Sequence, residues 1–76
     1  MNDFKTTLKV LCAYRNTNTS MLAEKMGISR QAVHNKMKRN SFSLGDIVAY
    51  CDKLDYNVEM SFIDRETGET VIRGSF

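Results

Sequence analysis

The polar side chains best suited to specific hydrogen bonding lie close together in the middle of the chain. Four of them fall within six consecutive positions: Arg30, Gln31, His34 and Asn35. Arginine can donate two hydrogen bonds to one guanine, and glutamine or asparagine can pair in the same bidentate way with adenine. Three cations able to neutralise phosphate groups follow on the same segment: Lys36, Lys38 and Arg39. These residue types suit contacts with bases and phosphates, provided that the fold presents them on one surface.

Other chemistry for the nucleophilic and metal-binding residue types is less well supported. His34 could be a pH-dependent contact or a catalytic base, but no nucleophile or carboxylate accompanies it, which favours an exposed histidine on a helix. Cys12 and Cys51 lie in segments with apolar periodicity, which favours reduced core thiols over a redox switch. The spacing of Cys12, His34 and Cys51 matches no usual zinc site. We therefore expect no metal, no cofactor and no enzymatic activity.

Charge is distributed unevenly along the chain, although the net charge is only +2. Residues 1–45 contain eight basic and two acidic residues, a net charge of +6. Residues 46–76 contain three basic and seven acidic residues, a net charge of −4. This asymmetry predicts one face for a polyanion and an acidic face turned away from it.

Length and composition indicate one small folded domain. The 76 residues allow a single core, and 42% hydrophobic with 26% charged residues is ordinary for a folded protein. No apolar run approaches the roughly 20 residues of a membrane span, and the first residues lack the apolar stretch of a secretory signal. We therefore expect a cytoplasmic protein without a membrane partner.

The first part of the chain carries apolar residues at helical spacing. We expect a first helix from about Asp3 to Tyr14, with Asn2 or Asp3 as its N-cap. Asn18 is the predicted N-cap of a short second helix. The apolar positions of that helix are predicted to be Met21, Leu22 and Met26.

Cap residues predict the limits of two further helices. Gly27 should end the second helix in a left-handed conformation, and Ser29 should cap a third helix over about Arg30–Arg39. A fourth helix should begin at Ser43, with Asp46 three positions later completing a capping box.

From Tyr56 onward the apolar residues alternate, which predicts strands. One run includes residues 58–63 and a second extends from Thr70 to Phe76, with a tight loop at Glu66-Thr67-Gly68 between them. An isolated hairpin is marginal in water, so this one must pack on the helices, pair with another chain, or both. The sequence thus predicts a mainly α domain with a small β element: four helices in residues 1–55 and a C-terminal β-hairpin in residues 56–76.

The second and third predicted helices have the features of a helix-turn-helix. Ala23 is small enough to let two helices cross closely, and Gly27 permits the positive φ that the turn requires. The angle between the helices would be fixed by apolar side chains: Leu22, Met26, Ile28 and Val33. With that angle fixed, the outer side of the third helix could enter a DNA major groove.

Residues 4–55 resemble the phage repressor and Cro-like helix-turn-helix family, also called the xenobiotic-response-element family. The resemblance rests on Leu22-Ala23, on Gly27-Ile28-Ser29-Arg30-Gln31-Ala32-Val33, and on Phe42-Ser43-Leu44 with Ile47 and Leu54. The chain departs from the family at Lys36, where many members have an apolar residue. It also carries a hairpin where the larger repressors have a fifth helix, which favours a Cro-like dimer paired through strands.

The resemblance implies which side chains of this segment face the bases, and others are placed to bind phosphates. The residues that read bases would be Arg30, Gln31, His34 and Asn35. The residues that bind phosphates would be Asn18, Thr19, Ser20, Lys36, Lys38, Arg39 and Asn40.

We therefore expect a sequence-specific transcriptional regulator, a repressor or autoregulator that binds a palindromic double-stranded DNA operator as a homodimer. The expected dimer contacts are Val58, Met60, Phe62, Val71 and Ile72. The alternative is a protein-interaction module on the same scaffold, such as an antitoxin or a phage-encoded inhibitor of a host enzyme. Its partner would dock on the hairpin or on the acidic face.

Overall fold

A computed structural model of the protein describes residues 3–75. Four helices precede a two-stranded antiparallel sheet, in the order α1 (Phe4–Tyr14), α2 (Thr19–Met26), α3 (Arg30–Arg39), α4 (Leu44–Lys53), β1 (Glu59–Ile63) and β2 (Thr70–Ser75). The predicted mainly α fold with a C-terminal hairpin is confirmed. The predictions made for Asn2 and Phe76 lie outside the described residues.

Each helix begins at a polar side chain that accepts a backbone N–H which the helix itself leaves unbonded. These N-caps are the predicted ones: Asp3, Asn18, Ser29 and Ser43. The start of α4 is a complete capping box, since the side chain of Ser43 accepts the N–H of Asp46 and the carboxylate of Asp46 accepts the N–H of Ser43, both at 3.0 Å. Local sequence signals therefore determine where the helices begin.

The main core lies between α1, α2 and α4. Its buried residues are Phe4, Leu8, Cys12, Leu22, Tyr50, Cys51 and Leu54. Burial raises the pKa of both thiols, Cys12 and Cys51, as expected of the core residues that the sequence predicts. Phe42 packs edge-on against Phe4 and Tyr50, with ring centroids 5.0 and 5.7 Å away, so the loop before α4 is held on the core.

Two predicted packing positions are wrong: Met21, and Ile28, which is 38% exposed and belongs to neither core. Met21 is 55% exposed, whereas Leu22 and Ala23 of the same helix are buried and Met26 packs partly against the core. Successive helical residues are turned by about 100°, so a stripe centred on Leu22 and Met26 leaves Met21 at its outer edge.

Arg15 joins the end of α1 to the end of α4. Its Nε and Nη2 donate to the carbonyls of Leu54 and Asp55, both at 3.0 Å, and its guanidinium lies 4.4 Å from the ring centroid of Tyr56. The hydroxyl of Tyr56 in turn donates to the carbonyl of Leu11 at 2.8 Å. This cation therefore serves the fold, although it contributes to the basic charge of the first half of the chain.

The hairpin projects from the helices, and the described protein measures 44 × 24 × 19 Å. Its strands pair with each other and make only slight contact with the helices, while Val58 just before β1 packs partly against the main core. Phe62 lies opposite Ile72, and a bulge follows at Phe62/Ile63. Gly68 in the connecting loop has φ of +76°, as predicted.

None of the helices between residues 3 and 75 combines the length and hydrophobicity needed to cross a membrane.

Candidate nucleic-acid interface

The junction between α2 and α3 determines how α3 is presented. Ala23 is fully buried and packs with Val33 and Met37 in a small second core between these helices. Gly27 has φ of +72°, and the N–H of Ile28 donates to the carbonyl of Ala23 at 3.0 Å. The small residue and the positive-φ turn are therefore where a helix-turn-helix requires them.

Packing of Val33 and Met37 on α2 leaves the opposite side of α3 exposed to solvent. The four predicted base-reading residues all lie on this exposed side. Three of them line one open depression with the start of α2; its residues are Thr19, Ser20, Arg30, Gln31, His34 and Met37. The depression between the two helices is thus lined mainly by polar side chains and is open to solvent.

Asn35 does not line that depression, but it forms a hydrogen bond with Gln31, which does. The Nε2 of Gln31 donates to the Oδ1 of Asn35 at 3.0 Å. This bond fixes the direction of both amides, so the carbonyl oxygen of Gln31 and the NH2 group of Asn35 remain available to a partner. An acceptor and a donor side by side can meet the edge of one base or of two adjacent bases.

The start of α2 contributes three of the predicted phosphate-binding residues. The Oδ1 of Asn18 caps the helix by accepting the N–H of Met21 at 2.9 Å, which leaves the NH2 group of Asn18 as a donor. Thr19 and Ser20 are half-buried and line the depression described above. The first N–H groups of a helix favour an anion, which suits a phosphate at this end of α2.

Lys36, another predicted phosphate-binding residue, is engaged within the protein. Its Nζ lies 2.9 Å from Oδ2 of Asp46, at the start of α4. The hydrogen bond to Asp46 raises the pKa of Lys36, and the same bond, with the backbone N–H of Ser43, lowers the pKa of Asp46. Lys36 thus has a structural partner, and its contact with phosphate stays a prediction.

The remaining predicted phosphate-binding residues lie at the exposed C-terminal end of α3. Arg39 is exposed, and Asn40 ends the helix with φ of +50°, its N–H donating to the carbonyl of Met37 at 3.1 Å. Lys38 is exposed and lines a second depression, which adjoins the first at Thr19 and His34.

Two cations of this surface were missed by the sequence reasoning. Lys5 and Lys9 of α1 line the second depression with Lys38. Their spacing of four residues, which puts them on one side of a helix, was the available signal. It was insufficient, because only the packing of the helices shows that this side of α1 lies beside α3.

Over residues 3–75, no group of three or more His, Cys, Asp or Glu side chains is arranged to hold a metal ion.

The chain matches a known protein family. The model of the bacteriophage CI repressor helix-turn-helix domain matches residues 6–63, which include all of α2, α3, α4 and β1. Comparisons with curated proteins and with solved structures found no match.

Proposed function

Because the chain belongs to the bacteriophage CI repressor helix-turn-helix domain family, we propose that it recognises a specific operator as a homodimer and represses transcription by occupying it. Family membership makes the chain a DNA-binding domain of the phage repressor type, as the resemblance implied. It also confirms that the chain is not an enzyme. What we propose in addition is the sequence-specific operator, the dimer and the role of each residue.

One observation carries the proposal for sequence reading. Arg30, Gln31 and His34 are exposed and line a single depression with the start of α2. A helix whose N-terminal half presents such side chains can enter a major groove while the preceding helix crosses the backbone. We assign base reading to these three residues and to Asn35, which shares a hydrogen bond with Gln31.

The phosphate contacts would position α3 on the DNA without specifying sequence. The start of α2 would hold one phosphate through Asn18, Thr19 and Ser20. The C-terminal end of α3 would hold others through Lys38, Arg39 and Asn40, with Lys36 available only in competition with Asp46.

The hairpin supports the proposal of a homodimer, in which residues 1–55 bind DNA and residues 56–76 join two copies. Phe62, Val71 and Ile72 are more than half exposed, and Met60 is half-buried. A two-stranded sheet also has unpaired edges that can pair with a second chain. Val58 lies at the base of this surface, where it packs partly on the helices.

A dimer of this kind would place its two recognition helices about 34 Å apart, on successive major grooves of one face of the duplex. Occupation of such a site in the cytoplasm would repress a promoter by excluding the transcription machinery. The target would be a promoter of a phage or mobile element, and it could be the promoter of the protein's own gene.

Selection of duplexes from a random library by the purified protein, followed by sequencing, tests the proposal. We expect an enriched inverted repeat whose half-sites lie about 10 bp apart, centre to centre. Enrichment of a single half-site would remove the dimer from the proposal. Weak, salt-sensitive binding with no enriched sequence would exclude sequence reading and favour a protein partner on the hairpin or the acidic face.

A further inference from the structure

Three lysines from two helices converge on the depression that adjoins the reading surface. Lys5 and Lys9 extend from α1, and Lys38 extends from α3. Thr19 and His34 line this depression and also the one that contains Arg30 and Gln31, so the two form one continuous surface. The surface carries base-reading side chains at one end and a group of ammonium groups at the other.

The lysine group has no ion-pair partner within the described part of the protein, although the carboxylate of Asp3 attracts Lys5 and Lys9 over a longer distance. No Asp or Glu lines the depression, and no salt bridge among residues 3–75 involves Lys5, Lys9 or Lys38. The carboxylate nearest in sequence, Asp3, accepts the N–H of Thr6 at 2.8 Å as the cap of α1. Lys36 is different, because its ammonium is paired with Asp46 on the α4 side of α3.

Like charges held close together raise the free energy of the folded protein unless a counterion neutralises them. A strand of a DNA duplex offers such counter-charges at regular spacing. Cβ atoms four residues apart on a helix lie about 5–6 Å from each other, so Lys5 and Lys9 can follow a backbone rather than share one phosphate.

We propose that Lys5, Lys9 and Lys38 form a second phosphate-binding track, through which α1 holds the DNA backbone beside the groove that α3 reads. The inference rests on the proposed function, since the phosphates are those of the same duplex.

The test measures the salt dependence of binding for the double variant Lys5→Gln/Lys9→Gln, on the best selected duplex and on a random duplex. Removing one cation that neutralises a phosphate should reduce the slope of log K against log salt concentration by about 0.9, so the double variant should bind with a slope about two units smaller on both duplexes. Its order of preference among duplexes should stay that of the wild type, because phosphate contacts do not read sequence.

Two variants control for charge and folding. Lys5→Arg/Lys9→Arg keeps both charges and should keep the wild-type slope. Lys53→Gln removes an exposed lysine at the end of α4, outside both depressions, and should also leave the slope unchanged. If the double variant proves unstable, the single variant Lys9→Gln, at an exposed position, should reduce the slope by about one unit.

An unchanged slope in the folded double variant, with tight binding by the wild type, would overturn the lysine track and leave the proposed function standing. A wild-type protein that binds no duplex would overturn both. A slope that falls as much in Lys53→Gln as in Lys9→Gln would assign the effect to net charge and overturn the track.

Discussion

The Nζ of Lys36 lies 2.9 Å from Oδ2 of Asp46, and the same oxygen accepts the backbone N–H of Ser43 at 3.0 Å. One carboxylate oxygen thereby completes the capping box of α4 and binds the ammonium group of Lys36 on α3. The position of α3 relative to the core therefore depends in part on an ion pair as well as on the buried Val33 and Met37.

This relationship predicts how stability depends on pH. Hydrogen bonds from Lys36 and Ser43 lower the pKa of Asp46 in the folded protein below its ordinary value of 3.8. The contribution of Asp46 to the free energy of unfolding is then fully present above that value and is lost as pH falls through the lowered pKa. Asp46→Asn should therefore destabilise the protein near neutral pH, and the difference from the wild type should shrink below pH 3.8.

Denaturation of both proteins from pH 7 to pH 2 measures this difference. Asp52→Asn on the same helix is the matched control, because the carboxylate of Asp52 has no hydrogen bond or ion pair within residues 3–75. The difference in unfolding free energy between Asp52→Asn and the wild type should change little with pH. A difference for Asp46→Asn that does not change with pH would show that the ion pair adds nothing to stability.

Two glycine substitutions should have opposite effects on stability, because Gly27 lies in the turn between α2 and α3 and Gly45 lies within α4. Gly27→Ala should destabilise the protein by about 1 kcal/mol or more, because an L-residue at φ of +72° is strained although nothing lies within 4 Å of the added Cβ. Gly45→Ala should stabilise by about 0.5 kcal/mol, because Gly45 lies in α4, where alanine is favoured. Urea denaturation measures both; equal effects would mean that the turn conformation does not constrain Gly27.

Local signals were sufficient to predict most of the fold. Caps at Asn18 and Ser29 and the glycine stop at Gly27 act within one helical turn, so the sequence reports them directly. The alternation that predicts β1 and the loop glycine at Gly68 are local in the same way. Such features need no knowledge of which elements pack together.

The features that were missed depend on tertiary packing. Tyr50 is only 2% exposed, but the apolar pattern of the sequence did not predict it as a core residue. The partner of Lys36 is on another helix, ten residues away, and the neighbours of Lys5 and Lys9 on α3 are about thirty residues away. Spacing along one helix cannot reveal which charges a neighbouring helix will neutralise.

Arg30 is predicted to read a base, so the effect of replacing it should depend on DNA sequence. Arg30→Ala should cost about 1–3 kcal/mol of binding free energy on the best selected duplex and relax the preference at one base pair of each half-site. Fluorescence anisotropy on the best duplex and on a random duplex measures this. Lys53→Ala, at an exposed position at the end of α4 and outside both depressions, is the control and should change the affinity for neither duplex. If Arg30→Ala reduced the affinity for both duplexes equally, Arg30 would be a phosphate contact and not a base-reading residue.

The hydrogen bond between Gln31 and Asn35 predicts coupling between these two positions. If each amide orients the other, either alanine substitution removes most of what the pair contributes, and the double variant should lose less binding free energy than the sum of the singles. A coupling of about 0.5 kcal/mol or more is expected for contacting residues. Gln31→Ala with Arg39→Ala, two positions with no hydrogen bond between them in the described structure, should be additive. Additivity for Gln31 and Asn35 would show that they contact DNA independently.

A substitution in the hairpin should disrupt dimerisation without unfolding the helices. Phe62 and Ile72 are directly opposite on the two strands and are 55% and 61% exposed, so a second copy pairing there would bury both. Phe62→Glu should yield a monomer at concentrations where the wild type is a dimer, because a buried carboxylate without a partner is strongly disfavoured. Its helical circular dichroism should be retained, since the strands make only slight contact with the helices. Light scattering measures the mass, with Val10→Glu as the control, because Val10 is a 62% exposed apolar residue of α1 and not of the hairpin. A Phe62→Glu protein that remains dimeric would place the interface elsewhere, and a Val10→Glu monomer would point to α1.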